Sequence, residues 1–423
     1  MRSTRAILRR QPLRSAAAQI GSPHPVTDPA TPDPRRPLTV VIGCDTFAPD
    51  INGAARFAER LAAGLVGRGH EVHVVAPNQR YRRAAPGIET VEGVQMCVHR
   101  LPSVRWPPHD WLRFVWPWRS KHYARRVLDE VKPDVVHIQS HIIIGRGLAY
   151  EANRRGIPVV ATNHVMAENI LDFTVLPQRI TDAVIRWAWG DAERTLSSTR
   201  AVTTPTRKAA DFLEATIDVS DVIPVSCGID KGNYTPDLEP RAENRVLFVG
   251  RLTSEKQIDV VLRALAALDP ALQAGFDIVG GGDQRKSLEN LVHELGLEDR
   301  VVFHGHVSDE ELRRLYSRAS VFAIASIAEL QSIATMEAMA SALPVVAADA
   351  VALPHLVHHG ENGYLFTPGD VDELAARLTD VLTADADERR RMQQASLDGV
   401  AVHDINRTLD TFEALYRGEP LPE

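Results

Sequence analysis

Two carboxylates in the stretch SIAELQSIATMEAMASALPVVAADAV, residues 326–351, have a spacing that suits chemistry: Glu329 and Glu337, with seven residues between them. Ser332 lies between the two acids and is of the type that caps a helix start. A helix beginning there leaves backbone N–H groups open to an anion and carries Glu337 roughly 7 Å along its axis. One acid then stands before the amides and one behind, a ruler for a sugar, a diphosphate and a ribose in line. Two cations complete the pattern. In VGRLTSEKQIDVVLRAL, Arg251 follows a strand-like run and Lys256 enters a helix, so both belong at the mouth of a sheet. Arg offers a fork that matches phosphate oxygens, and Lys a compact charge.

Other residues at strand ends fit the same site. VGGGDQR places Gly281 within a glycine cluster, either a tight turn or a place where a ligand nears the backbone. Gly305 in RVVFHGHV follows a strand and precedes a helix start, and Gly53 in PDINGAARFAERL sits at a strand-to-helix turn. His164 ends the run VVATNH and is expected to face the cleft. His137 and His141 flank another strand end and read as structural. The HLVHH run, 355–359, has no carboxylate or cysteine partners and reads as surface. Asp385-Ala386-Asp387 lies far from any strand end and reads as a helix start, so no metal is expected in the site.

The elements that must hold these residues alternate. PLTVVIG, a helical repeat through Ala54, Phe57, Leu61 and Leu65, and VHVVAP make a strand–helix–strand unit, which implies a parallel sheet. PDVVHIQS, PVVATNH and RAVTTPT continue it. The alternation restarts with RVLFVGRL, FDIVGGGD, RVVFHGHV, VFAIAS and LPVVAA. The expected class is α/β: two doubly wound, Rossmann-like domains facing across a cleft, with ligands at the carboxyl ends of both sheets. The expected boundaries are a disordered tail at 1–36, an acceptor domain at 37–221, a linker at 222–244, a donor domain at 245–398, and a tail helix within 399–423 that docks on the first domain.

Length and composition agree with two domains: 423 residues, 44% hydrophobic and 24% charged. A net charge of −7 argues against nucleic acid as partner. Cys44, Cys97 and Cys227 are scattered and read as buried, reduced residues. No apolar run reaches the length of a membrane span.

One segment departs from this composition. HRLPSVRWPPHDWLRFVWPWRSKHYARR, 99–126, holds four of the six tryptophans: Trp106, Trp111, Trp116 and Trp118. Arg100, Arg105, Arg113, Arg119, Lys121, Arg125 and Arg126 are interleaved, against the one acid Asp110. Aromatic and basic residues in this mixture suit an anionic membrane surface. The alternative is an aromatic insertion packed in the core beside a solvated basic helix.

GRLTSEK, GGGD, AELQSIATMEAMASALPVVA and GENGYLFTPGD, taken in this order, resemble the family-four retaining glycosyltransferases of the GT-B fold. The likeness runs from Pro37 to the tail helix. It implies a hexosyltransferase with a UDP- or GDP-sugar donor and no other cofactor. Arg251 and Lys256 would hold the diphosphate, Glu329 the sugar and Glu337 the ribose. Gly53, Gly281, Gly305, Gln331, Ser332 and Ile333 would line the donor, with His164 on the sugar. Leu330-Gln331 and Ala342 depart from the family pattern, which commonly has glycine there. Likeness to bacterial glycolipid glycosyltransferases implies a diacylglycerol or phosphatidylinositol-type acceptor and a place on the inner face of the plasma membrane. A soluble acceptor and a non-catalytic nucleotide-sugar-binding module are the alternatives.

Overall fold

The computed structural model describes residues 36–50, 52–79, 85–105, 113–164 and 178–422. The expected tail at 1–35 and the tryptophans Trp106 and Trp111 lie outside them. The first half contains β1 (Thr39–Gly43), α1 (Gly53–Gly67), β2 (Glu71–Pro77), β3 (Gly87–Val91), β4 (Val94–Leu101), β5 (Ser103–Arg105), β6 (Arg113–Val115), α2 (Pro117–Val131), β7 (Val135–Ile138), α3 (Ile144–Asn153), β8 (Val159–Thr162), α4 (Gln178–Leu196), β9 (Ala201–Thr204), α5 (Arg207–Thr216) and β10 (Ile223–Pro224). The second contains β11 (Arg245–Val249), α6 (Ile258–Ala267), β12 (Gly275–Val279), α7 (Arg285–Glu294), β13 (Val301–Gly305), α8 (Asp309–Arg318), β14 (Val321–Ile324), α9 (Ile333–Ala340), β15 (Val345–Ala348), β16 (Gly363–Phe366), α10 (Val371–Thr383), α11 (Ala386–Ala401) and α12 (Ile405–Arg417).

Two sheets result. The first has the order β10-β9-β8-β7-β1-β2-β4-β3, parallel except where β3 meets β4. The second has the order β13-β12-β11-β14-β15-β16 and is parallel throughout. Both central strands are covered on each face, and Val40, Val41, Ile42, Val246 and Leu247 are fully buried. That burial is why these runs carry unbroken β-branched and apolar residues instead of an alternating pattern. The order reverses at β1/β7 in one sheet and at β11/β14 in the other. Loops leaving adjacent strands in opposite directions open a crevice at each reversal, where ligands bind in such sheets.

Two details differ from the expectations. The segment expected as a linker, 222–244, opens on β10, whose Ile223 and Pro224 pair with Thr203 and Thr204 of β9. The first sheet therefore gains an edge strand beyond residue 221. Cys44 and Cys227 are buried, but Cys97 is only half-buried, because it faces the side of the sheet away from the α1 core. The DAD motif behaves as expected: the Asp385 carboxylate caps α11, accepting from the Glu388 N–H.

α12 returns to the first half. Phe412 packs on Phe57, with ring centroids 5.9 Å apart, and Leu409 lies where any side chain at Gly64 would collide with it. The Tyr416 hydroxyl meets His137 Nδ1 at 2.7 Å. Residues 225–230 and 402–405, which join the two halves, run side by side. Ile229 N–H donates to His403 O at 2.7 Å, and Ile405 N–H to Ile229 O at 3.1 Å.

Candidate active site

A cleft of about 660 Å³ lies between the two sheets, lined by loops at their carboxyl ends. Gly53, His164, Arg251, Lys256, Gly281, Gly305, Glu329, Gln331, Ser332, Ile333 and Glu337 all line it.

On the second sheet, β11 ends at Val249 and Arg251 follows at its carboxyl edge. A single 3₁₀ turn, Ser254–Lys256, then carries Lys256 into the cleft. Gln257, with φ of 46°, turns the chain into α6. Ile327 N–H donates to Glu255 O at 3.0 Å, tying this turn to the loop after β14. Across that tie, Lys256 Nζ stands 2.6 Å from Glu329 Oε1, both side chains largely shielded from solvent. Arg251 is 3.6 Å from Glu255. The two cations are thus held by carboxylates that a diphosphate would compete with.

α9 begins as its sequence requires. Ser332 caps it, accepting from Thr335 N–H at 3.3 Å and from Thr335 Oγ1 at 2.8 Å. Glu337, one and a half turns in, is buried. Arg60 of α1 donates to its Oε1 at 2.6 Å and the Tyr316 hydroxyl to its Oε2 at 3.0 Å. Burial and this carboxylate hold the Tyr316 hydroxyl far above its ordinary pKa, so it stays a donor. Arg60 was not expected in the site, because only the approach of α1 to α9 across the two halves brings it to Glu337.

Gln331 lines the cleft and also has partners of its own. Its Oε1 accepts from Cys227 N–H at 2.7 Å and its Nε2 donates to Ser226 Oγ at 3.2 Å. The side chain fastens the donor loop to the crossing segment, because buried backbone donors there need an acceptor.

The glycines differ in what they permit. A Cβ on Gly280 would lie 1.9 Å from Gly250 O, and Gly280 has φ of +123°, so glycine is obligatory. Gly281 faces His306 at 3.0 Å, and Gly53 opens onto empty space within the cleft.

On the first sheet, His164 Nε2 meets Gln139 Oε1 at 3.1 Å, and its ring packs on Phe57. Burial lowers its pKa to about 4, so at neutral pH the imidazole is uncharged. With Nε2–H donating to Gln139, Nδ1 is left as an acceptor. Behind it lies a buried chain of polar groups. Thr203 Oγ1 donates to Ala161 O, leaving its oxygen to accept from Thr162. Thr162 then accepts from His137 Nε2–H at 2.8 Å, and His137 Nδ1 accepts from Tyr416. Every partner is satisfied only with His137 neutral, in agreement with burial holding its pKa down to about 3. His137 is structural, as expected. Asp45, missed in the sequence, stands at the start of the loop after β1 and accepts from Ile144 N–H at 3.0 Å and from the Ser140 hydroxyl. Its position just beyond the β1/β7 reversal is the signal that marks it.

Part of the Trp/Arg segment is described. Arg113 donates to Asn78 O and to Ser103 in the β5–β6 ribbon, and Arg100 makes a fork with Glu89. These two arginines support the fold and are withdrawn from any outer basic face. Trp118, by contrast, is 70% exposed and stacks on Trp116 at 4.7 Å. Arg119, Lys121, His122 and Arg126 are exposed along the same helix. Among the described residues, no helix is long and apolar enough to cross a membrane.

A profile described as Glycosyltransferase Family 4 matches residues 51–232, and one described as Glycosyl transferases group 1 matches residues 235–398. A GDP-mannose-dependent alpha-mannosyltransferase of Mycolicibacterium smegmatis is 30% identical over 371 residues, covering 84% of this chain and 90% of that protein. The chain belongs to glycosyltransferase family 4. This family-four chain is also 24% identical to the alpha-monoglucosyldiacylglycerol synthase of Streptococcus pneumoniae, over 87% of its own length and 83% of the relative's. Its fold is GT-B: sucrose-phosphate synthase from Thermosynechococcus elongatus superposes with a TM-score of 0.75 at 21% identity, over 91% of this chain and 99% of that one. The family-four chain is a hexosyltransferase.

Proposed function

We propose that the enzyme transfers mannose or glucose, with retention of configuration, from a GDP- or UDP-sugar to a membrane lipid such as a diacylglycerol or phosphatidylinositol-type lipid. The supporting observation is the grouping of Arg251, Lys256, Glu329 and the capped start of α9 on one wall of a cleft whose other wall presents His164 and Gly53. The diphosphate sits against Arg251, Lys256 and the first amides of α9, and the sugar hydroxyls against Glu329. Lys256 is shared between Glu329 and the incoming phosphate. As the C1–O bond breaks, charge develops on the diphosphate, where fixed cations and amides stabilise it most. The acceptor hydroxyl attacks C1 from the same face and gives its proton to the departing phosphate oxygen. Neutral His164 holds a sugar hydroxyl through Nδ1 and supplies no charge.

The mannosyltransferase relative makes GDP-mannose the first donor to test. The glucosyldiacylglycerol synthase relative and the exposed face of α2, with Trp118, Arg119, Lys121 and Arg126, support a lipid acceptor at an anionic surface. A matched pair of assays tests both halves. Calorimetry with GDP-mannose and UDP-glucose is expected to show binding that Lys256→Ala weakens. Co-sedimentation with anionic vesicles is expected to fall on Trp118→Ser with Arg119→Glu. Donor turnover on a water-soluble acceptor without vesicle binding overturns the lipid assignment, and unaltered transfer by Lys256→Ala overturns the donor site.

A further inference from the structure

His73, Cys97 and His99 are far apart in sequence, yet β2 and β4 are parallel neighbours in a register that sets His73 opposite Cys97 and Val75 opposite His99. Side chains two residues apart on a strand share a face, so all three point to one side of the sheet. The alternate residues Val72, Val74, Met96 and Val98 fill the core on the other side. The three side chains therefore lie on the sheet face away from α1, and none of them lines the donor cleft.

Their ligand atoms lie within 4.8 Å of one another. His73 Nδ1 is 3.1 Å from His99 Nε2, and Cys97 Sγ is 3.8 Å from His99 Nε2. A tetrahedral zinc ion with the usual bond lengths sets two nitrogen ligands about 3.3 Å apart, and a nitrogen and a thiolate about 3.6 Å apart. Both separations are met within a few tenths of an ångström.

A further contact fits a ligand histidine. His73 Nε2 is 3.1 Å from Glu71 Oε1. A carboxylate that takes the proton of one ring nitrogen leaves the other as a lone pair aimed at the cation, the arrangement that orients metal-bound imidazoles. Here the lone pair is on Nδ1, the atom that faces His99. His73 and Cys97 are half-buried, open enough for an ion to enter.

We propose that His73, Cys97 and His99 bind a divalent zinc-class cation with three protein ligands and an open fourth position, clamping β4 to β2. Binding releases the Cys97 thiol proton to solvent and leaves the thiolate on the metal. Imidazole and thiolate together select zinc over magnesium or calcium. The site is separate from the sugar-transfer chemistry and stands whether or not the proposed donor is correct. The competing account is a hydrogen-bonded pair only, with His99 Nε2–H donating to His73 Nδ1.

The test uses the untagged full-length chain, stripped with chelator, reduced without thiol reagents and titrated with Co²⁺. The expected result is one Co²⁺ per chain, a thiolate-to-cobalt charge-transfer band, intense tetrahedral visible bands, displacement by Zn²⁺ and a higher melting temperature with either metal. Cys97→Ser abolishes the charge-transfer band, while Cys44→Ser and Cys227→Ser keep it. His73→Gln, at a half-exposed position, serves as the second variant and weakens binding about 100-fold. A folded wild-type chain without the band overturns the proposal in favour of the hydrogen-bonded pair. A band that persists in both Cys97→Ser and His73→Gln overturns the assignment of ligands.

Discussion

The Arg60–Glu337 pair joins α1 of the first domain to α9 of the second, and its removal has a calculable consequence. The charged atoms are 2.6 Å apart, with side-chain exposures of 17% and 8%. Taking charge centres about 4 Å apart and an effective dielectric of about 20, the attraction is about 4 kcal/mol. Two effects reduce its net value. Both groups are largely stripped of water, and Arg60 Nη1 is buried with no hydrogen-bond partner among the described residues. Arg60→Met removes the cation and leaves the Glu337 carboxylate buried against phenols, at a cost of about 3 kcal/mol. Glu337→Gln keeps the contact with Tyr316 and leaves the guanidinium unpaired, at about 2 kcal/mol. The double variant removes both charges and returns toward wild-type stability. The assay is urea and thermal unfolding of all four proteins, read as a double-mutant cycle. A coupling of about 2 kcal/mol or more is expected, with a parallel loss of donor affinity in each single variant if the Glu337 carboxylate, displaced or neutralised, serves the ribose as proposed. Additive losses, with coupling below about 0.5 kcal/mol, would refute the view that this pair holds the two domains together.

Three more outcomes follow from the geometry. Lys256→Ala should lower kcat/KM by about 100-fold to 1000-fold, measured as release of nucleoside diphosphate at saturating acceptor, whereas Lys256→Arg should recover part of it. Glu59 is buried in α1, and desolvation raises its pKa from 4.5 to about 7. The unfolded chain loses this proton first, so stability falls as pH rises from 4.5 toward about 7 and the penalty is complete above it. Glu59→Gln should remove up to about 3 kcal/mol of that pH-dependent loss, seen as a melting temperature raised at about pH 8 and little changed at about pH 5. Gly280→Ala should destabilise by about 2 kcal/mol or more, with reduced donor binding in calorimetry, because the added methyl meets Gly250 O at 1.9 Å.

The parts of the fold that read well from the chain are those where one physical signal dominates. Buried parallel strands announce themselves as apolar β-branched runs, and α9 by a Ser332 cap that is observed accepting from Thr335. The β3–β4 hairpin was not anticipated. Its two-residue turn is Glu92-Gly93, both at positive φ, and a lone Glu-Gly is a weak turn signal beside Asn-Gly. In the site, Arg251, Lys256 and Glu329 were legible because strand ends and a helix start place them without knowledge of packing. Arg60, Gln139 and the engagement of Gln331 with Cys227 were not, since each depends on which surfaces meet. Arg113 shows the opposite error. Charge and neighbours suggested an outer basic face, while the carbonyl of Asn78 and the Ser103 hydroxyl drew it inward.

The return of α12 means that the first domain cannot be cut out as the continuous piece 37–221. Leu409, Phe412 and Tyr416 fill the surface formed by Gly64, Phe57 and His137, so a chain stopped at 221 presents an open apolar groove with the nitrogen of a buried histidine at its floor. A separable first domain has to carry its last helix grafted on, for instance by circular permutation through the crossing at 225–230. The same arrangement makes the joint between the halves a paired strap instead of a single tether. Two parallel-paired chains bend readily across their common plane and resist twisting within it, so opening of the cleft should follow one hinge axis, and nicking either strand should loosen donor closure without cutting the active site.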